Sequence, residues 1–341
     1  MSRSQKPKYA VVTGANRGLG LAMAKRLVHE GFQIAAVCRQ LKDAKRTVKM
    51  LGNIRSVPVQ LDFSEGEAPL HAAASQIAAW AGPSKLMLLV NNAGNSHGSW
   101  DDAAWLDSRL VNYKGPVSFT EALLPTLATG ASVIMVGSGL GDVSLLSPKY
   151  RRLLRKAGST MDLDEIANRS INLLGTEHSW VGPYGLSKAL LHRATELLAS
   201  DARFKMNGIL VNAICPGWVS TDMGGEQAPI SVEEGAGHIL DKALMCDPAV
   251  TGTFHCYCFK NYDEEHTRAW EQKHGMSAPS VECAEYSQKK DRSARMVRKL
   301  DKRKARRKDA NLKVTVTTKA AGPGIKQNRV IGAPILHTHV Q

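Results

Sequence analysis

The chain has 341 residues, 43% of them hydrophobic, and a net charge of +14; that length holds one large α/β domain or two ordinary ones. The charge is concentrated at one end: residues 285–341 carry 16 Lys/Arg against 4 Asp/Glu, the rest of the chain 29 against 27. A nearly neutral body is not built to grip a polyanion, which leaves nucleic acid as a partner for the tail only.

No apolar run is long enough for a membrane span, and residues 1–9 lack the apolar core of a secretory signal. The six cysteines, Cys38, Cys215, Cys246, Cys256, Cys258 and Cys283, form no CxxC pair, and a chain of this length needs no disulfides to fold. The spacing Cys256-Tyr257-Cys258 is too short for a zinc pair and reads as alternate positions on a strand. A cytoplasmic protein without a metal is expected.

In chain order, short apolar runs alternate with amphipathic stretches, the pattern of a parallel sheet covered on both faces. Residues 9–12 predict a first strand and 19–29 a helix that Gly31 ends. Strands at 33–37 and 56–61 flank a helix at 41–51, and a helix at 70–80 leads to a fourth strand at 86–90. That strand is continuously apolar and therefore central. One long helix is expected over 104–127 and a fifth strand over 132–136. Regularity then pauses until Gly182, apart from a basic stretch at 149–156 and a helical pattern at 162–174. A helix over 184–200 and a strand over 209–214 follow. A helix over 231–245, with Ser231 and Glu234 as a capping box, and a strand over 253–259 complete seven strands. The domain is expected to span 1–265, with 266–341 as a basic C-terminal extension.

The turn Thr13-Gly14-Ala15-Asn16-Arg17-Gly18-Leu19-Gly20 joins the first strand to the first helix. Glycines let the backbone turn sharply and approach a pyrophosphate, and the helix N-terminus offers N–H groups and a positive dipole end. Gly14 would make the turn, Gly18 the close approach and Gly20 the helix–strand packing. The spacing is GxxxGxG, and its place after the first strand favours a dinucleotide over an ordinary loop. NAD-selective sites place an acidic residue at the end of the second strand. None stands at 36–42; Arg39 and Arg17 are offered instead. Two guanidinium groups suit a 2′-phosphate, so NADPH/NADP+ is the expected cofactor.

Tyr184 and Lys188 are four residues apart at a helix start, so phenol and ammonium share a face, and the cation is expected to lower the tyrosine pKa. Alone, this YxxxK spacing is weak. It is joined, in order, by the glycine turn, Asp62 after the third strand, Asn91-Asn92-Ala93-Gly94 after the fourth, Asn112 in the long helix, Ser138 after the fifth strand, and Pro216-Gly217.

With these motifs the chain resembles the short-chain dehydrogenase/reductase family over residues 8–260. The resemblance implies a Rossmann-type doubly wound α/β fold. It implies that Tyr184 gives a proton to a carbonyl oxygen, Lys188 tunes that phenol and holds the nicotinamide ribose, and Ser138 orients the carbonyl. Asn112 would support a water that links Lys188 to solvent. Asp62 would meet the adenine, Asn91 with Ala93 and Gly94 the adenosine side, and Pro216, Gly217, Trp218, Val219 and Thr221 the nicotinamide. Trp218 and the residues after it are further expected to line the substrate mouth. Gly137 stands where many relatives have a second serine.

Ser138 and Tyr184 are 46 positions apart, longer than most of the family needs. That helical insertion, about 144–181, and the segment from Cys215 to Met223 resemble the monomeric carbonyl reductases. The resemblance implies NADPH-dependent reduction of ketones, aldehydes or quinones by a single copy. Two other readings stand beside it. One is a dinucleotide-binding regulator whose basic tail, with Lys302-Arg303-Lys304-Ala305-Arg306-Arg307-Lys308, holds nucleic acid. The other is a dehydrogenase of a different alcohol, such as a steroid.

Overall fold

The computed structural model describes residues 7–258, apart from 98, 100, 175–181 and 246. The expected domain end at 265, the basic extension 266–341 and the last residue of the seventh predicted strand lie outside the described residues. No helix among those described is long and apolar enough to cross a membrane.

Seven parallel strands form one sheet in the order β3-β2-β1-β4-β5-β6-β7. The strands are β1 (Lys8–Thr13), β2 (Phe32–Cys38), β3 (Val57–Gln60), β4 (Leu86–Asn91), β5 (Leu127–Val136), β6 (Leu210–Cys215) and β7 (Phe254–Cys256). Strands β2 and β6 are buried at every residue, as sheets covered on both faces require. The chain order reverses between β1 and β4, and the crevice at such a switch point is where open α/β sheets bind ligands.

One face carries α1 (Gly18–His29), α2 (Leu41–Leu51) and α10 (Val232–Met245) over a core that includes Met23, Leu27, Ile34 and Ile239. The other carries α3 (Glu67–Ala81), α4 (Asp102–Arg109), α5 (Gly115–Leu123) and α8 (Gly182–Ser200), with Trp105, Tyr113, Phe119 and Phe204 fully buried. The Ser231 cap of α10 is present, its hydroxyl accepting from the Glu234 amide at 3.1 Å.

Three expectations needed correction. The helix over 104–127 is broken into α4, a π turn at Leu110–Lys114 and α5. Pro116 has no N–H for the carbonyl of Asn112, four residues back, and its ring crowds that carbonyl, so the turn widens. Second, β5 begins at Leu127, not at 132: the register jumps from Leu86↔Leu127 to Leu88↔Ser132, and Gly130 takes the positive φ (+75°) of the irregular stretch between them. Third, the basic stretch at 149–156 is itself a helix, α6 (Pro148–Lys156), while the helical pattern expected at 162–174 is α7 (Thr160–Leu174). A further short helix, α9 (Ala202–Lys205), follows α8. Tyr150, Leu154, Leu163 and Ile166 bury the insertion in the same core as α4 and α8. Asp164 pins it to the π turn, accepting from the Tyr113 hydroxyl at 2.9 Å and the Lys114 ammonium at 2.7 Å.

Candidate active site

The turn after β1 is shaped by its glycines. Gly14 and Gly18 have φ of +65° and +49°, where only glycine rests without strain. A Cβ on Gly20 would lie 2.1 Å from the Gly14 carbonyl oxygen, so α1 can start this close to β1 only because no side chain intervenes. Asn92 fixes the turn from β4, its amide donating to the Thr13 carbonyl at 2.9 Å, while the Thr13 hydroxyl accepts from the amides of Asn92 and Ala93. The result is an open N-terminus of α1 at the β1/β4 switch point, a cradle that fits a dinucleotide pyrophosphate.

The loop after β6 closes the other side. A Cβ on Gly18 would meet the Thr221 methyl at 3.4 Å, and Leu19 and Val219 converge on Gly235 of α10. Gly217 holds φ +94° where a Cβ would strike Ile230 at 2.3 Å. Pro216 is buried, its carbonyl facing His238 Nδ1 at 2.8 Å. Trp218 does not line a mouth: it is 7% exposed and its indole N–H donates to the Gly224 carbonyl at 2.9 Å. A large ring this close to an apolar interior gains more from burial than from solvent.

Other expected cofactor residues fall in place unevenly. Arg39 is exposed at the end of β2, and Asn16 is half-buried in the turn. Arg17 forms an ion pair with Asp222; the sequence had set it beside the ribose. Asp62 caps a short turn, accepting from the amide and hydroxyl of Ser64 at 2.9 and 2.7 Å. Asn91 is 2% exposed and its side chain donates to Thr120 inside the core.

Ser138, Tyr184, Lys188 and Asn112 converge at the ends of β5 and α8. The Ser138 hydroxyl hydrogen-bonds the Tyr184 phenol and also caps the following turn, accepting from the Leu140 amide at 3.2 Å. Lys188 is 4% exposed; its ammonium donates to the Val136 carbonyl at 2.7 Å and lies 5.7 Å from the Tyr184 ring centroid. Asn112 is anchored by Asn95, whose amide donates to its Oδ1 at 2.9 Å; its own Nδ2 donates to the Asn95 carbonyl and to Ser187 Oγ at 3.0 and 3.1 Å. A Cβ at Gly94 would touch both Asn112 Oδ1 (3.1 Å) and Lys188 Nζ (3.6 Å), which places Gly94 between them.

The expected lowering of the tyrosine pKa is reversed. Burial pushes the Tyr184 phenol up to about 12, against the hydrogen bond from Ser138, which pulls it down. The ammonium lies over the ring face, and is itself reduced to about 8 by burial. A phenol near 12 stays protonated at neutral pH, the state a proton donor needs.

His192 escaped the sequence reading although it lies four residues beyond Lys188, on the same helical face. Burial holds it at about 4, so it is neutral at pH 7. Its Nε2 accepts from the Ser138 amide at 3.3 Å, which leaves Nδ1 to donate to the Gly141 carbonyl at 3.2 Å. A Cβ at residue 137 would come within 2.5 Å of that Nε2. Gly137 therefore goes with His192: the ring occupies the space a second serine would need. Cys215 is given no role by the sequence. Thiol hydrogen bonds from Cys256 and Cys258, with the amides of Gly217 and Gly139, hold its thiol well below the usual range.

A Rossmann-type sheet with a glycine cradle at its switch point and a Ser/Tyr/Lys cluster at the ends of β5 and α8 is the layout of a dinucleotide-dependent oxidoreductase. The short chain dehydrogenase family profile matches residues 8–148. The chain is 30% identical over 276 residues to a (+)-neomenthol dehydrogenase of Arabidopsis thaliana, covering 70% of this chain and 92% of that protein. Among solved structures it resembles salutaridine reductase from Papaver somniferum, with a TM-score of 0.65 and 27% identity over 73% of this chain and 99% of that one. It also resembles an NADPH-bound carbonyl reductase from chicken fatty liver, with a TM-score of 0.56 and 25% identity over 74% and 96%. The chain belongs to the short-chain dehydrogenase family, and is an oxidoreductase of that family.

Proposed function

We propose that this chain reduces ketones, aldehydes or quinones to alcohols with NADPH, working as a single copy in the reducing cytoplasm. The observation that carries the proposal is the Ser138–Tyr184 hydrogen bond beside buried Lys188. It holds a protonated phenol next to a second hydroxyl, both able to point at one carbonyl oxygen. When bound, NADPH supplies the hydride. The chain's own work is to position the carbonyl through Ser138, protonate its oxygen from the Tyr184 phenol, and offer the Lys188 ammonium for the ribose hydroxyls and for returning a proton to the phenol. The Asn112 side chain, filled by Asn95 and Ser187, steadies the π turn behind Lys188. The reductases named above support the direction and the cofactor. Assay of NADPH oxidation against quinones, aldehydes and ketones tests the reading; no turnover with any of them would reject it.

The 2′-phosphate is assigned to Arg39 and Arg17. Both are exposed, and an exposed ion pair such as Arg17–Asp222 is worth about 1 kcal/mol at most, so it yields readily to a dianion. Arg39→Ala is expected to weaken NADPH binding by roughly ten- to a hundred-fold, the worth of a charge-assisted hydrogen bond, and to leave NADH unaffected. Equal losses for both, measured by fluorescence titration, would remove Arg39 from the phosphate site.

The single-copy reading rests on α6 and α7, which cover α4 and α8. Light scattering on the eluting protein should give the mass of one chain, 37.0 kDa; a dimer mass would refute it.

A further inference from the structure

Cys215 ends β6 and Cys256 ends β7, and the two are register partners on neighbouring parallel strands, so their side chains leave the sheet on one face. Cys258, two residues on, returns to that face. Their three Sγ atoms lie within 4.8 Å of one another, with Cys215 and Cys258 3.2 Å apart. Cys215 and Cys256 are buried and Cys258 is half-buried. The CxC spacing alone is too short for a ligand pair; the strand register supplies the third sulfur that spacing cannot show.

We propose that Cys215, Cys256 and Cys258 form a three-thiolate site for a soft, thiophilic cation, with the cuprous ion as its type. A metal–sulfur bond of about 2.3 Å sets three sulfurs in a trigonal site about 4 Å apart. That spacing lies between the Cys215–Cys258 separation and the 4.8 Å limit of the group, so metal entry asks for sub-ångström shifts. Among the described residues no fourth His, Cys, Asp or Glu joins the group, which disfavours zinc with its four ligands. Thiolates alone select soft cations such as Cu(I).

The loop after β5 is shaped to the group. The Gly139 amide donates to Cys215 Sγ at 3.3 Å, a contact that orients a ligand sulfur. A Cβ at Gly139 would stand 2.9 Å from Cys258 Sγ and 3.6 Å from Cys256 Sγ, so glycine is what lets the sulfurs converge. Because Gly139 follows Ser138, an ion held here would clamp the backbone that carries the serine. Uptake exchanges thiol protons for the ion, with no change in oxidation state.

The test is a titration of the reduced, full-length protein under nitrogen with cuprous ion supplied as its bicinchoninate complex. Loss of the complex's colour gives stoichiometry and affinity, and X-ray absorption counts the sulfur ligands. One ion per chain with three sulfurs is expected. Affinity should fall at least about ten- to a hundred-fold in each of Cys215→Ser, Cys256→Ser and Cys258→Ser, and stay unchanged in Cys38→Ser. No uptake by folded native protein overturns the proposal, as does uptake that survives all three substitutions. Should a serine variant fail to fold, the sulfur count of the native protein decides alone. Mass mapping that finds a Cys215–Cys258 disulfide, with no ion taken up after reduction, overturns it in favour of an oxidation site.

Discussion

Tyr184→Phe should lose carbonyl-dependent NADPH oxidation by roughly 10²–10⁴-fold, the usual worth of a positioned proton donor, while binding NADPH as the native chain does. The substitution removes one oxygen from a half-buried ring and leaves its packing on α8 intact. What disappears is the proton delivered to the carbonyl oxygen and the partner of the Ser138 hydroxyl. Because the phenol is held near 12, it is a donor across the neutral range. The pH profile of the native enzyme below 10 should therefore carry no break from tyrosine deprotonation in the cofactor-free protein. Stopped-flow hydride transfer and cofactor fluorescence separate the two effects. Turnover retained in the variant would remove Tyr184 from the mechanism; loss of cofactor binding along with turnover would make it a binding residue.

The seven strands and most element positions were legible because buried parallel strands announce themselves as apolar runs, and because the glycine turn, Asn91–Gly94 region, Ser138 and Pro216 each follow a strand. What sequence could not supply was the direction of side chains. Asn91 and Asn92 are indistinguishable as letters, yet Asn91 turns into the core and Asn92 ties β4 to the glycine turn. Trp218 looked like a mouth residue and is packed against its own loop. The YxxxK spacing gave the shared face and not the depth, so the balance between cation and burial came out with the wrong sign for Tyr184. The break at Asn112 was available in principle from Pro116, and the long apolar pattern around it masked the signal. The cysteine cluster needed the β6–β7 register, which no spacing encodes.

Lys188→Met should abolish turnover and yet raise the stability of the fold. Lys188 is 4% exposed, and burial lowers its ammonium from 10.5 to about 8. At about 1.4 kcal/mol per pKa unit, keeping it charged at pH 7 costs the native state about 3 kcal/mol. Methionine has nearly the same length and no charge, and loses one hydrogen bond, from a charged donor to the Val136 carbonyl, worth about 2 kcal/mol. The net gain of about 1 kcal/mol corresponds to a Tm higher by about 2–4 °C for a domain of this size. The pH dependence supplies the signature. Between about 8 and 10.5 the unfolded chain holds the lysine proton and the folded chain does not, so native stability climbs with pH across that window. Below 8 both states are protonated and the full cost is present. The methionine variant should be flat over the same range, its advantage over the native protein shrinking as pH rises. Calorimetry at pH 7 and pH 10 measures both quantities. A variant that melts below the native chain at pH 7 would mean that the ammonium supports the fold, and the stability given up for a proton relay would then have to be sought elsewhere in the site.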